Sequence, residues 1–179
     1  MKKVIVISTS LRPNSNSDLL AQEFARGAAE AGHEVETISL VGKKLAFCRG
    51  CLACQKLGRC VTDDDANPIA AKVKEADVVA FASPVYYYGM CGQMKTLLDR
   101  MNSLYPSDYR FRDVYLLTSA ADDAPNAMDR VISGLEGWIE CFEKSRLAGV
   151  VKGVANEAPG DVKQHADQLA EAYEMGKSV

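Results

Sequence analysis

The stretch that most constrains this chain is Lys3-Val4-Ile5-Val6-Ile7, followed at once by Ser8-Thr9-Ser10-Leu11-Arg12-Pro13-Asn14-Ser15-Asn16-Ser17-Asp18. An unbroken β-branched run without polar alternation suits a strand covered on both faces, as in a parallel sheet between helices. The polar stretch then passes into Leu20, Phe24, Ala28 and Ala31 at helical spacing, with Gly32 to end the helix. A strand, a polar loop and a helix N-terminus in that order form an anion site. The loop supplies backbone N–H groups and Ser, Thr and Asn donors, while the helix points its positive end at the same spot. Arg12 adds a guanidinium able to pair with a phosphate through two parallel bonds. Asn16 or Ser17 would cap a helix in any case, but capping does not call for an arginine and so many donors. The stretch is therefore read as a site for a phosphate-bearing ligand. Asp18 would repel a phosphate and is expected to point away.

The rest of the chain repeats the alternation of strand and helix. Glu34 to Leu40 alternates polar and apolar residues, the pattern of a strand near an edge. An irregular, cysteine-rich segment covers Val41 to Asp65. Asn67-Pro68 opens a short helix through Glu75, Asp77 to Ala82 is a third, central strand, and Ser83 to Gly89 leaves it as a loop. Met90, Met94, Leu97, Leu98 and Met101 mark an amphipathic helix of core contacts. Phe111 to Ser119 is a fourth strand. A helix over about Asn126 to Lys144 turns Val131, Leu135, Trp138 and Phe142 inward, Leu147 to Val154 is a fifth strand, and Val162 to Met175 closes the chain. The pattern predicts one domain over residues 1–179, an α/β three-layer sandwich with a five-stranded parallel sheet, which fits two main strand orders, one of them 2-1-3-4-5. In that order ligands sit outside the carboxyl ends of strands 1 and 3. The Ser8–Ser17 loop then lies beside the Ser83–Gly89 loop, so phosphate on one meets flat aromatic surface on the other.

Two signals lead elsewhere and fail. No Gly-x-Gly-x-x-Gly follows the first strand. Gly176-Lys177-Ser178 resembles the end of a P-loop, but Glu171 stands where the first glycine belongs. Twenty-one basic against 24 acidic residues leave a net charge of −3 with no basic patch, which argues against nucleic acid. The apolar run after Lys2 and Lys3 ends by Ile7, too short for a signal peptide, and none approaches the ~20 residues of a membrane helix. The expectation is a cytoplasmic protein with no membrane partner.

Three motifs together resemble the NADPH-dependent FMN reductases, especially the branch that includes the iron–sulfur flavoproteins. They are Ser8-x-Ser10-x-Arg12-x-x-Ser15-Asn16-Ser17, Ser83-Pro84-Val85-Tyr86-Tyr87-Tyr88-Gly89 and Gly92-Gln93-Met94-Lys95-Thr96-Leu97-Leu98-Asp99-Arg100. The similarity covers roughly the first two thirds of the chain. It implies a flavodoxin-like fold, bound FMN, NAD(P)H as co-substrate, a small-molecule electron acceptor and a homodimer or homotetramer. By position it places Ser8, Ser10, Arg12, Ser15, Asn16 and Ser17 around the FMN phosphate. Ser83, Pro84, Val85, Tyr86, Tyr87 and Gly89 would line the ribityl chain and ring, and Thr118, Ser119 and Ala120 would close the other side. Neighbouring side chains in extended backbone point to opposite sides, so one of Tyr86 and Tyr87 is expected to face the flavin and the other to face away.

Four of the six cysteines, Cys48, Cys51, Cys54 and Cys60, form a C-x2-C-x2-C-x5-C pattern. Thiolates this close can wrap a cubane cluster, and bacterial ferredoxins use a related run. The resemblance implies a 4Fe–4S cluster. Zinc, which favours a longer spacer between ligand pairs, a redox dithiol and a metal-free loop stand beside it. Cys91 and Cys141 fall in helical patterns and are read as packing residues. Hydride transfer from a nicotinamide to a flavin needs stacking and an open ring face rather than a protein acid or base. Accordingly no catalytic side chain is assigned, and His33 and His165 are read as surface residues. The expected activity is ping-pong transfer from NAD(P)H through FMN to a flavin, quinone or azo acceptor. The rivals are an electron carrier that does not use NAD(P)H and a non-redox binder of another phosphate.

Overall fold

Six strands and six α-helices alternate along a computed structural model that describes residues 1–179. In chain order they are β1 (Lys3–Ser8), α1 (Asn16–Glu30), β2 (Glu34–Ser39), α2 (Ala53–Leu57), α3 (Ala66–Glu75), β3 (Val78–Tyr86), β4 (Gly89–Met90), α4 (Gly92–Arg100), β5 (Asp113–Ser119), α5 (Asp129–Ile139), β6 (Arg146–Gly153) and α6 (Ala166–Lys177). The main sheet is parallel in the order β2-β1-β3-β5-β6. This is the expected 2-1-3-4-5 order, with β4 a two-residue addition paired antiparallel to the end of β3.

Val4 to Ile7 are wholly buried because each face of β1 has its own cover. Val4 and Val6 pack with Leu20, Phe24 and Ala172 beneath α1 and α6. Ile5 and Ile7 pack with Ile69, Val73, Leu97 and Val131 beneath α3, α4 and α5. At the edge, β2 buries only Ile38, as its alternation requires. No helix is long and apolar enough to cross a membrane.

Several local expectations give way to tertiary contacts. Ser83 to Gly89 is not a loop: β3 runs on to Tyr86 and folds back on β4, with Val85 opposite Met90 and Tyr86 opposite Gly89. The turn residues Tyr87 and Tyr88 both have positive φ, +49° and +64°. That is the backbone of a two-residue hairpin turn usually made by Asn-Gly, and it is strained for tyrosine. Tyr88 is held there by its hydroxyl, which donates to Asp122 at 2.9 Å, and by the Arg130 guanidinium over its ring. The cysteine segment contains the single turn α2. Helix α5 is shorter than its periodicity suggested, since the chain beyond Ile139 turns so that Phe142 can meet Trp138 at 4.6 Å. Cys141 therefore lies past the helix end and is exposed, not packed, whereas Cys91 is buried as expected.

Candidate functional site

Ser15 takes the N-cap position of α1, yet its hydroxyl makes no cap bond and pairs instead with Ser17 Oγ at 3.1 Å. The cap expected from Asn16 or Ser17 is likewise absent, because both residues lie within the first turn. The first-turn N–H groups are thus left for a ligand in the cleft of about 220 Å³ that Ser15, Asn16 and Ser17 line. Pro84, Val85 and Tyr86 form another wall, Ser119 comes from the end of β5, and Arg12 stands at the mouth. Ser119 Oγ is buried with no partner in the fold, a group a ligand would satisfy. Asp18 accepts a bond from Gln22 on the outer face of α1, clear of the cleft.

Eight of the expected residues therefore meet in one cleft, and the others lie behind it or outside it. Ser8 and Thr118 are buried within their strands. Ser10 Oγ accepts the Arg12 N–H and shapes the loop. Ser83 Oγ accepts from the Cys91 N–H and donates to the Pro84 carbonyl, so it fixes the hairpin base. Gly89 pairs with Tyr86, and Ala120 is held by backbone bonds to Gly153 and Asn156. Tyr86 lines the cleft while Tyr87 stands fully in solvent. Asn16 reaches the cleft, but its amide is already engaged. Nδ2 donates to the carbonyls of Asn156 and Ala158, and Oδ1 accepts from the Val162 N–H. Its side chain ties the start of α1 to the connection between β6 and α6. That connection brings in Asn156 and Glu157, and the chain just after β5 brings in Ala121, none of which the motifs identified. Arg12 Nη1 donates to the Glu157 carbonyl at 3.2 Å, and Asn156 Oδ1 is buried without a partner. Extending the carboxyl-edge rule to the fifth strand would have found Asn156. His33 and His165 stay away from the cleft, each half-buried rather than fully exposed.

Tyr86 is also a wall of a second space, a groove of about 740 Å³ bounded by Leu11, Leu40, Leu45 and Phe47, by Gln93 and Thr96 of α4, and by Lys43 and Lys95. Phe47 and Asp99 are shared in turn with a small cavity of about 20 Å³ lined by Cys48, Cys51, Cys54 and Cys60. The groove thus borders the cleft at Tyr86 and the thiol cavity at Phe47 and Asp99. All four thiols are free, Cys48 and Cys51 exposed and Cys54 buried. The cavity has room for about one water, and the thiols do not converge as a set of three or more around a metal position. Four free thiols on one concavity suit an iron–sulfur cluster chemically, and the segment must draw together to hold one, as metal sites commonly do on loading. Burial pushes the Cys60 thiol up, but a Thr62 backbone bond and the neighbouring Arg100 guanidinium outweigh it and hold the pKa below the ordinary thiol value.

A doubly wound sheet with an open helix N-terminus and an aromatic hairpin at its switch point defines a flavodoxin-like protein. The chain belongs to the NADPH-dependent FMN reductase family, which it matches over residues 2–136. An iron–sulfur flavoprotein of Archaeoglobus fulgidus is 37% identical over 183 aligned positions, which cover 96% of this chain and 80% of that protein. An iron–sulfur flavoprotein of Methanocaldococcus jannaschii is 46% identical over 102 positions, 57% of this chain, and there the match spans only about half (53%) of the relative. Among solved structures, an azoreductase from Bacillus anthracis superposes over the whole of both chains with a TM-score of 0.75 at 17% identity, a likeness of fold.

Proposed function

We propose that the protein is an FMN-dependent NAD(P)H oxidoreductase that delivers electrons to a flat acceptor such as a flavin, quinone or azo compound. The observation that carries this reading is the double exposure of Tyr86, one side chain walling both the phosphate cleft and the larger groove. In this reading the first-turn N–H groups of α1 and Arg12 hold the FMN phosphate, and Pro84, Val85 and Tyr86 border the ribityl chain and ring. Ser119 and Asn156 supply the buried polar atoms that lack partners in the fold. FMN, when bound, supplies the two-electron chemistry. The chain's part is to hold reactants against one another and keep the groove side open, with no side chain required to move a proton. Lys43 and Lys95 border the groove and would meet the phosphates of a nicotinamide dinucleotide by exchanging their surface partners Asp65 and Asp99. Cys48, Cys51, Cys54 and Cys60 would hold a 4Fe–4S cluster, which supplies one-electron exchange. A homodimer or homotetramer is part of the proposal, and the exposed Phe47 and Tyr87 offer apolar surface for it.

Arg12→Ala removes a charge-assisted contact from an exposed side chain and no core packing. FMN affinity is expected to fall by about one to two decades, the equivalent of roughly 1.5–3 kcal/mol, with the fold unchanged. Fluorescence titration of apo-protein with FMN measures it, and an unchanged dissociation constant refutes the phosphate role. NADPH consumption with an added quinone or azo dye tests the activity; an FMN-loaded protein that consumes none is an electron carrier instead.

A further inference from the structure

We propose that Arg100 and Asn102 are positioning residues for the thiol cavity, Arg100 clasping the two ends of the cysteine segment and Asn102 donating a hydrogen bond to Cys54, so that together they decide cluster uptake and cluster potential. The inference rests on the cluster reading above.

The segment from Cys48 to Leu52 is exposed or half-exposed, so apolar packing does not hold it in place. Polar bonds at its base do. The Arg100 side chain, at the last residue of α4, is wholly buried. Nη1 donates to the Ala46 carbonyl and to Asp64 Oδ2, both at 2.7 Å. Nη2 donates to the Thr62 carbonyl at 3.0 Å and to Asp64 Oδ1 at 2.8 Å. One guanidinium thus joins Ala46, two residues before the first thiol, to Thr62 and Asp64, just beyond the last. Asn67 closes the second end by accepting the Cys60 N–H and donating to the carbonyls of Cys60 and Thr62.

A pair of apolar side chains could replace a buried ion pair at no desolvation cost, but it could not hold the Ala46 and Thr62 carbonyls that Arg100 joins. What an arginine adds is donor capacity toward the thiols. Arg100 and Cys60 line the same cavity, and the buried Arg100 Nε has no partner. Across the cavity, Asn102 Nδ2 donates to Cys54 Sγ at 3.3 Å. Donors to ligand sulfur favour the more electron-rich, reduced cluster and raise its potential, and outer partners hold metal ligands in place.

The test loads the full-length, FMN-bound protein anaerobically with ferrous iron and sulfide, then measures bound iron and the cluster potential by redox titration followed by electron paramagnetic resonance. Asn102→Leu is expected to take up as much iron as the parent and to show a more negative potential, a shift that a merely structural role would not produce. Arg100→Met combined with Asp64→Leu removes the ion pair without stranding a charge. It is expected to bind FMN like the parent and to take up about tenfold less iron or lower still. If the double variant loses FMN as well, it has not folded, and the Asn102→Leu potential alone decides. A parent that loads while both variants match it in iron and potential overturns this inference and leaves the cluster reading intact. A parent that takes up no iron overturns both.

Discussion

Gly176→Ala is expected to destabilise the protein by about 3 kcal/mol, a fall in melting temperature of roughly 6–12 °C for a chain of this size. At Gly176 a Cβ would stand 2.0 Å from the Phe24 carbonyl oxygen of α1, and at Gly27 one would stand 2.1 Å from the Tyr173 carbonyl oxygen of α6. Both obstacles are helix backbone, so no rotamer change relieves them and the helices must part. Parting opens the layer of Leu20, Phe24 and Ala172 against β1. It also shifts α1, whose first turn is the proposed phosphate site, so FMN affinity should fall with stability. Gly137 in α5 is the control: it is exposed and a Cβ there meets nothing within 4 Å. Alanine at Gly137 should stabilise by up to about 1 kcal/mol through helix propensity. Thermal melts of the two variants check the contrast, and a Gly176→Ala protein that melts with the parent would mean that α1 and α6 do not pack this closely.

The second large effect is at the ion pair beneath the thiols. Arg100→Met alone is expected to cost about 3–5 kcal/mol at neutral pH, because it leaves the Asp64 carboxylate mostly buried without its partner. The cost should shrink in acid. Burial works against the Asp64 charge, but the Arg100 guanidinium and the N–H groups of Ala46 and Ala66 outweigh it and hold its pKa below the usual carboxylate value. A depressed folded-state pKa contributes stability that is fully present above the unfolded value of about 3.9 and is lost as pH falls through the folded one. Asp77 carries the same sign: burial opposes its charge, while the Lys3 N–H and Arg110 lower its pKa. The parent should therefore lose stability below about pH 4. Without Arg100, the Asp64 part of that loss disappears, since its carboxyl is protonated readily. Urea unfolding of parent and variant at neutral and acid pH measures both. An equal deficit at the two pH values would show that the ion pair is not its source.

Much of this was legible locally. The Val4–Ile7 run, the donors after it and the helical spacing from Leu20 specify a buried strand, an anion loop and a helix, because each depends only on neighbouring residues. Alternation of strands and helices with right-handed crossovers then restricts the sheet to two main orders, and the resemblance of the motifs to the FMN reductases points to the one found, β2-β1-β3-β5-β6. The same holds for the cysteine spacing. Tyr86 lines the cleft and Tyr87 does not for a reason other than strand alternation: Tyr87 is a turn residue with positive φ, not extended backbone.

Partner choice was not local. Asn16 and Ser15 look equivalent in the sequence, yet Asn16 spends its amide on Asn156, Ala158 and Val162, roughly 140 residues further along. Arg100 closes the third sequence motif and proves to bond Ala46, Thr62 and Asp64 at the two ends of the cysteine segment. Gly176 reads as the remnant of a phosphate loop and proves to be the point where α6 touches α1. Periodicity and turn chemistry determine which elements form and which edge of the sheet carries the ligand. The backbone carbonyls and N–H groups that a given side chain finds there arrive from distant elements only when the layers close, and that pairing the tertiary structure alone decided.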